Sequence, residues 1–300
     1  MCALALGSDG GGSIRYPAGL TGLVGVKPQR DRIPVGAEHG TAWNGLLRLG
    51  PLARSVRDAT LFLDVVTTAT PTIELRDALR RPPNKLRVAV SIAPPPGTNT
   101  NLSAAGRHAV DTAVARLHDL GHRIVDVDLD FGLAALWNST VRLLKGIHHD
   151  VDTRTDRSLL EKRTRRTTRL GRLIPARALA NTRRAEAAIA ARMNAVFDHV
   201  DIVLTPLTAT SAPRIEDCPS SGALRSLRAA NTSARLVPWN VIGQPAAAIP
   251  VGLDDHGMPT AVQLAGRPGD EATILRLAAE LEAHQPLPRW MPESTSPPAE

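Results

Sequence analysis

Close to its first residue this 300-residue chain carries the stretch Gly7-Ser8-Asp9-Gly10-Gly11-Gly12-Ser13-Ile14-Arg15. Three glycines before a serine let the backbone turn sharply, and they aim successive N–H groups at one place where a developing oxyanion would be stabilised. A run of glycines alone favours a tight turn or a phosphate cradle. The identity of the loop therefore depends on the sequence that follows it.

Further motifs follow the loop in a fixed order. They are Tyr16-Pro17-Ala18, Gly22-Leu23-Val24-Gly25-Val26-Lys27-Pro28, Gly50-Pro51-Leu52-Ala53-Arg54-Ser55-Val56-Arg57-Asp58-Ala59, Asp201-Ile202-Val203-Leu204-Thr205-Pro206, Pro238-Trp239-Asn240-Val241-Ile242-Gly243-Gln244-Pro245 and Gln263-Leu264-Ala265-Gly266-Arg267-Pro268-Gly269-Asp270-Glu271. Together with the loop they resemble the amidase signature family, serine hydrolases that use a Ser-Ser-Lys relay, from Leu4 to about Glu282. The resemblance implies an α/β fold in which a large mixed β-sheet has helices on both faces, as one domain over residues 1–300.

The resemblance also implies roles for the loop residues. Ser13 is the expected nucleophile, and the backbone N–H groups of Gly10, Gly11, Gly12 and Ser13 are the expected oxyanion hole. Asp9 and Arg15 flank the turn with opposite charges, so we expect them to support it through a charge-assisted hydrogen bond. Asn240, Gly243 and Pro245 resemble a family element near the substrate pocket, although a loop-forming cluster explains them equally well.

A serine hydroxyl needs a base to take its proton, and the family's relay lysine and bridging serine both precede the nucleophile. Only twelve residues precede Ser13 here and none is a lysine. We therefore expect a domain that is incomplete at its N-terminus, through a late start codon or a disrupted gene, and that is inactive on its own. Lys27 is expected in a structural turn before Pro28, and a Ser/His/Asp triad formed from distant residues stays open.

The leading functional hypothesis is hydrolysis of a monocarboxylic acid amide to a carboxylate and ammonia, with a small-molecule amide as the substrate and no metal or organic cofactor. One alternative is the glutaminase-type A subunit of a tRNA-dependent amidotransferase, which the same motifs would fit. Another is a non-catalytic remnant that acts as a binding or interaction protein. The substrate pocket is expected in the helical region 140–235, and residues 286–300 are expected to form a loose tail.

Composition places the chain among ordinary globular proteins, with 43% hydrophobic and 22% charged residues. It contains only Cys2 and Cys218, and no secretory signal or apolar stretch of roughly 18 residues, so we predict a cytoplasmic protein without a membrane span. Oligomeric state has no signal in the sequence.

The net charge of +7 is concentrated in one segment. Residues 154–184 contain ten arginines and Lys162 against Asp156 and Glu161, a net charge of +9, so the remainder carries −2. An RNA-binding face is one interpretation, but no aromatic residues are interleaved for base stacking, which favours solvated helices and argues against a nucleic-acid partner. His148, His149, Asp150 and Asp152 suggest a metal site, although such a cluster without further ligands is typical of an ordinary surface.

Hydrophobic periodicity gives the expected elements. The predicted strands are Ala3–Leu6, Gly22–Val26, Leu86–Ile92, His122–Val127, Ile202–Leu204, Ala246–Pro250 and Thr260–Leu264. The predicted helices are Ser55–Val66, Ser103–Leu120 and Asp270–His284, followed by two or three helices in Arg154–Val200 that break near Pro175. Loops are expected at Pro94–Gly97 and Cys218–Gly222.

Overall fold

The computed structural model describes residues 2–35, 42–67, 75–98, 101–154, 156–214 and 234–284. Eight strands in these ranges form one sheet, namely β1 (Leu4–Asp9), β2 (Val24–Lys27), β3 (Arg48–Ala53), β4 (Arg87–Val90), β5 (Arg123–Asp126), β6 (Ile202–Pro206), β7 (Ala246–Leu253) and β8 (Pro259–Ala265). Their order across the sheet is β1-β3-β2-β7-β8-β6-β4-β5. Strand β4 runs parallel to β5 and β6, and the other pairs are antiparallel. The predicted mixed sheet is confirmed.

The right-handed α-helices of the described ranges are α1 (Arg15–Leu20), α2 (Val56–Val66), α3 (Leu75–Ala78), α4 (Ala104–Asp119), α5 (Gly132–Arg154), α6 (Lys162–Leu173), α7 (Ala176–Asn194), α8 (Val237–Val241) and α9 (Glu271–His284). A further helical turn, Ala42–Gly45, contains two residues in the left-handed conformation. Single turns of 3₁₀ helix lie at Arg157–Leu159 and Ala195–Asp198. Among the described residues, no helix has both the length and the hydropathy that a membrane span requires.

The two faces of the sheet bury different cores because side chains alternate along each strand. In β7, Ala247 and Ile249 join one cluster with residues of α2, α4 and α9. Ala246 points the other way, into a cluster with residues of α5, α7 and α8, and Ala248 does so into a smaller cluster beside α1. Helices therefore cover both faces, as the sequence predicts.

The predicted helix ends depend on their capping residues. Ser55 Oγ accepts a hydrogen bond from Asp58 N at 3.1 Å, and Ser103 Oγ accepts one from Gly106 N at 3.2 Å. Gly121 follows α4 with a φ of +80°, the left-handed conformation that ends helices and that glycine adopts without strain. The three separately predicted helices are confirmed to within a residue at each end.

All seven predicted strands are present, but two differences affect the site. Strand β1 runs on to Asp9 rather than ending at Leu6, so it leads directly into the glycine loop. Strand β3 was not expected, because it contains Gly50-Pro51 and no β-branched residue. A side chain at Gly50 would collide with the carbonyl oxygen of Val26, so glycine is what allows β3 to lie between β1 and β2.

The helical part of the chain starts earlier than predicted. Helix α5 begins at Gly132, and α6 and α7 are separated at Pro175, which is the N-cap of α7. The expected helical region 140–235 contains most of α5 together with α6 and α7, and it also contains the buried strand β6 (Ile202–Pro206), which the sequence predicts separately. That this region forms the substrate pocket stays a prediction. The loop predicted at Cys218–Gly222 and the tail predicted at 286–300 lie outside the described residues.

Candidate active site

Ser13 lies in the short loop that joins β1 to α1. Its side chain is exposed, whereas Gly12, Ile14 and Arg15 beside it are buried. The backbone turns at once into α1, with Tyr16 N donating to Gly12 O at 2.7 Å. The loop thus holds one exposed hydroxyl between residues that cannot move freely.

A buried ion pair between Asp9 and Arg15 joins the two ends of the loop. Arg15 Nε lies 2.9 Å from Asp9 Oδ2 and Arg15 Nη2 lies 3.0 Å from Asp9 Oδ1, a two-point contact between side chains that are both fully buried. Burial alone would raise the pKa of Asp9, but the charge of Arg15 and hydrogen bonds from Arg15 and Asn240 outweigh it and hold that pKa well below its usual range. Asp9 is therefore a fixed anion, suited to support rather than to proton transfer.

Two carboxamides complete this cluster, which we call the loop clamp (Asp9, Arg15, Asn240 and Gln263). Asn240 Nδ2 donates to Asp9 Oδ1 at 2.9 Å, and its Oδ1 accepts from Arg15 Nη2 at 2.6 Å. Gln263 Oε1 accepts from Arg15 Nη1 at 2.6 Å. All four side chains are buried, so residues more than 220 positions apart along the chain fix the geometry of the loop. The sequence leaves two interpretations open for Asn240 and indicates no role for Gln263.

The glycines have distinct positions in the structure. Gly12 has a φ of +121°, and its N–H donates to Asp9 Oδ1 at 2.6 Å. This corrects the expectation that Gly12 N–H contributes to the oxyanion hole, because the buried Asp9 carboxylate already uses that donor. An oxyanion hole formed by the N–H groups of Gly10, Gly11 and Ser13 stays a prediction.

Trp43 packs against Gly10, a contact that no sequence signal indicated. A Cβ on Gly10 would lie 2.6 Å from Trp43 Cζ3, so the indole ring occupies the space of the missing side chain. Trp43 and Asn44 have φ values of +49° and +54°, which are strained for residues other than glycine. Trp43 Nε1 donates to Asp150 Oδ2 at 2.8 Å and Asn44 Nδ2 donates to Arg142 O at 3.1 Å, so helix α5 holds this turn in place.

Lys27 is fully buried near the loop clamp but is not placed to deprotonate Ser13. Its Nζ donates to Pro28 O at 3.1 Å and also to Gln244 O. Burial, together with the positive charge of Arg15, holds the pKa of Lys27 well below its usual range. Both contacts are with backbone carbonyls, which gives Lys27 a structural position.

The described residues supply no alternative base at hydrogen-bonding distance. None of them forms a side-chain hydrogen bond with Ser13, and the histidine pairs that are resolved involve carboxylates or a threonine elsewhere, as in His122 Nε2 with Glu280 Oε2 at 3.0 Å. Asp150, one of the residues of the suggested metal cluster, accepts from Trp43 instead, and the described residues contain no group of three metal-binding side chains.

With the fold and the clamped serine loop described, comparison with known proteins identifies the family of the chain. The family model described as Amidase matches residues 1–275, so the chain belongs to the amidase family. A protein named "Putative amidase AmiB2" from Mycobacterium tuberculosis is 43% identical over 291 residues, which are 95% of this chain and 62% of that protein. "Putative amidase AmiA2" from the same species is 37% identical and covers 93% and 59%.

Solved structures agree with the fold. A 6-aminohexanoate cyclic dimer hydrolase matches with a TM-score of 0.85 and 26% identity, covering 95% of this chain and 65% of that one. A bacterial aryl acylamidase matches with a TM-score of 0.79 and 20% identity, covering 94% and 62%. The chain thus spans less than two thirds of the length of these relatives.

Proposed function

We propose that Ser13 is the acyl-ester nucleophile of a hydrolase that converts a monocarboxylic acid amide and water to a carboxylate and ammonia. The observation that carries this proposal is the exposed Ser13 hydroxyl. It lies beside the fully buried Asp9–Arg15 ion pair, which is joined by two hydrogen bonds. A rigid support of this kind keeps a nucleophile in one orientation at no cost during the reaction. The family membership of the chain supports the same reaction class.

In the proposed reaction Ser13 Oγ attacks the amide carbonyl carbon and gives up its proton to a base. The N–H groups of Gly10, Gly11 and Ser13 stabilise the oxyanion, and one such donor contributes about 3 kcal/mol to lowering the barrier. The C–N bond then breaks, the amine leaves with a proton as ammonia, and water hydrolyses the Ser13 ester. The loop clamp orients the loop throughout and exchanges no proton, because Asp9 stays ionised.

We further propose that the 300-residue chain alone hydrolyses amides only slowly. No side chain among the described residues forms a hydrogen bond with the Ser13 hydroxyl. Without a base, only oxyanion stabilisation and substrate binding accelerate the reaction. In serine hydrolases that have lost a catalytic residue, these two effects still give a rate above that of the uncatalysed reaction. A cytoplasmic location is proposed on the low cysteine content alone.

The test combines covalent labelling with turnover. The purified chain is treated with a fluorophosphonate, the modified peptide is located by mass spectrometry, and ammonia release is measured from a series of aliphatic and aromatic amides. We expect slow labelling at Ser13 that Ser13→Ala abolishes, while Ser8→Ala, an exposed serine five residues earlier, serves as the matched control and keeps it.

Two results would contradict the proposal. Labelling that survives Ser13→Ala would remove Ser13 as the nucleophile. Rapid ammonia release by the purified chain that depends on Ser13 would keep the nucleophile but refute the proposed low turnover, and it would show that the chain contains an effective base.

A further inference from the structure

A groove of about 550 Å³ lies along β5, at the opposite edge of the sheet from β1 and the Ser13 loop. Val125 of β5 and Val127 beyond its end line the groove, together with Val196 from the 3₁₀ turn after α7. A volume of this size is typical of sites for small ligands. No residue of the loop clamp lines the groove, so a function here is separate from the amidase chemistry.

One end of the groove is cationic. Arg123 and His199 line it, and among the described residues neither has an ion-pair partner. Arg87 lies beside Arg123 in the parallel register of β4 and β5, but its guanidinium is already paired with Asp201 at 3.4 Å. Arg123 is therefore the arginine that this end offers to an anionic ligand.

The other end is acidic. Asp130 is paired with Arg192 at 3.4 Å, whereas Asp128 is exposed and has no ion-pair partner among the described residues. Asp128 follows the end of β5 and Arg123 begins it, so the two lie five residues apart. At the rise of a β-strand this separation is about 16 Å, the length of an extended peptide of about five residues.

The outer edge of β5 has no strand partner among the described residues. Arg123 N and Val127 N donate to Leu86 O and Val90 O at 2.9 and 3.0 Å, and both bonds point towards β4. In a parallel pair the intervening residues, here Ile124 and Asp126, direct their N–H and C=O groups to the other side. No described strand pairs with that side.

We propose that this groove binds a short extended peptide with free ends as an added strand antiparallel to β5. The C-terminal carboxylate of the peptide pairs with Arg123, and its N-terminal ammonium pairs with Asp128. Its backbone bonds to Ile124 and Asp126, and every second side chain enters the groove over Val125 and Val127. The antiparallel direction follows from the charges, because the cation lies at the start of β5 and the anion beyond its end.

The experiment titrates the 300-residue chain with the pentapeptide Thr-Val-Thr-Val-Thr by isothermal titration calorimetry. Two modified peptides are compared, one with a C-terminal amide and one N-methylated at alternate residues. We expect saturable one-to-one binding of the free peptide, weakening of about tenfold on amidation because a charge-assisted hydrogen bond is lost, and loss of binding on N-methylation.

Substitutions then identify the site. Arg123→Gln should abolish the difference between acid and amide, whereas Arg107→Gln, an exposed arginine on α4, should keep it. Ser13→Ala should bind the peptide as the unsubstituted chain does. The outcome of this test is therefore independent of the proposed function. The proposal is overturned if no saturable binding occurs at millimolar peptide, or if Arg123→Gln still prefers the acid to the amide. It is also overturned if N-methylation leaves the affinity unchanged, because the site would then bind simple amphipathic carboxylates.

Discussion

The Ser13 loop and helix α6 both contain arginine, but the side chain is buried and paired in the loop and exposed in the helix. Arg15 is fully buried and reaches Asp9, Asn240, Gln263 and Leu236 O through hydrogen bonds of 2.6 to 3.0 Å. In α6 (Lys162–Leu173), Arg166, Arg169 and Arg172 are exposed, and no ion pair joins them to a described carboxylate. One arginine holds the site together, while a row of them covers a surface.

Burial decides how much an arginine charge contributes to stability. A buried charge keeps its stabilising effect only while every partner is present, and removal of one partner leaves another charge without solvent or counter-ion. An exposed charge is screened and hydrated whether or not it has a partner.

Arg15→Ala should give the greatest loss of stability. It leaves the Asp9 carboxylate buried without its charge partner and opens a cavity, so we expect the free energy of unfolding to fall by about 3 to 5 kcal/mol. Urea denaturation followed by circular dichroism measures this value. A loss below about 1 kcal/mol would show that the loop does not depend on the clamp.

Acid should weaken the same contact in the unsubstituted chain. Arg15 and Asn240 lower the folded-state pKa of Asp9, so the ionised form is favoured by folding; this contribution is complete above the usual aspartate pKa of about 4 and is lost as the pH falls below it. The free energy of unfolding, measured from pH 6 to pH 3, should fall more steeply for the unsubstituted chain than for Arg15→Ala. Equal slopes would mean that Asp9 is not held as an anion by Arg15.

Gly10→Ala tests the contact between the loop and Trp43. A Cβ at Gly10 would lie 2.6 Å from Trp43 Cζ3 and nearer still to Trp43 Cε3, so we expect a loss of about 1 to 3 kcal/mol from overpacking. Gly11→Ala is the matched control, since a Cβ there has its nearest neighbour, Val237 Cγ2, at 3.4 Å. Equal denaturation midpoints for the two variants would show that Trp43 moves aside without cost.

The contrast also separates what the sequence could predict from what it could not. The loop, its flanking charges and the capped helices follow from local rules, because Ser55 and Ser103 bond to amides three residues away. Gln263 and Trp43 could not be assigned, because their contacts with Arg15 and Gly10 join positions far apart in the chain. Gly12 was misassigned because glycine content indicates a turn but not which acceptor each N–H meets.

Strand β3 and helix α5 illustrate the same limit within the fold. Gly50-Pro51 indicates a turn when it is considered alone, and only the close approach of Val26 O makes it part of a strand. Helix α5 has a glycine, Gly146, where it contacts Trp43. A Cβ added at Gly146 would lie 2.7 Å from Trp43 Cα, which is too close for a side chain. In both places a glycine that weakens the local prediction is what permits the tertiary contact.

Arg169→Ala should produce the smallest effect and completes the contrast with Arg15→Ala. Arg169 is exposed and forms no ion pair with the described carboxylates, so truncation removes a hydrated charge and little packing. We expect the free energy of unfolding to change by no more than about 0.5 kcal/mol. At low salt the substitution should increase it, because α6 loses one of several neighbouring like charges that repel one another. Denaturation in 20 mM and 500 mM sodium chloride measures both quantities. A loss above about 1 kcal/mol that salt does not change would place Arg169 in a buried contact, and the division between a clamped loop and a solvated basic helix would then be wrong.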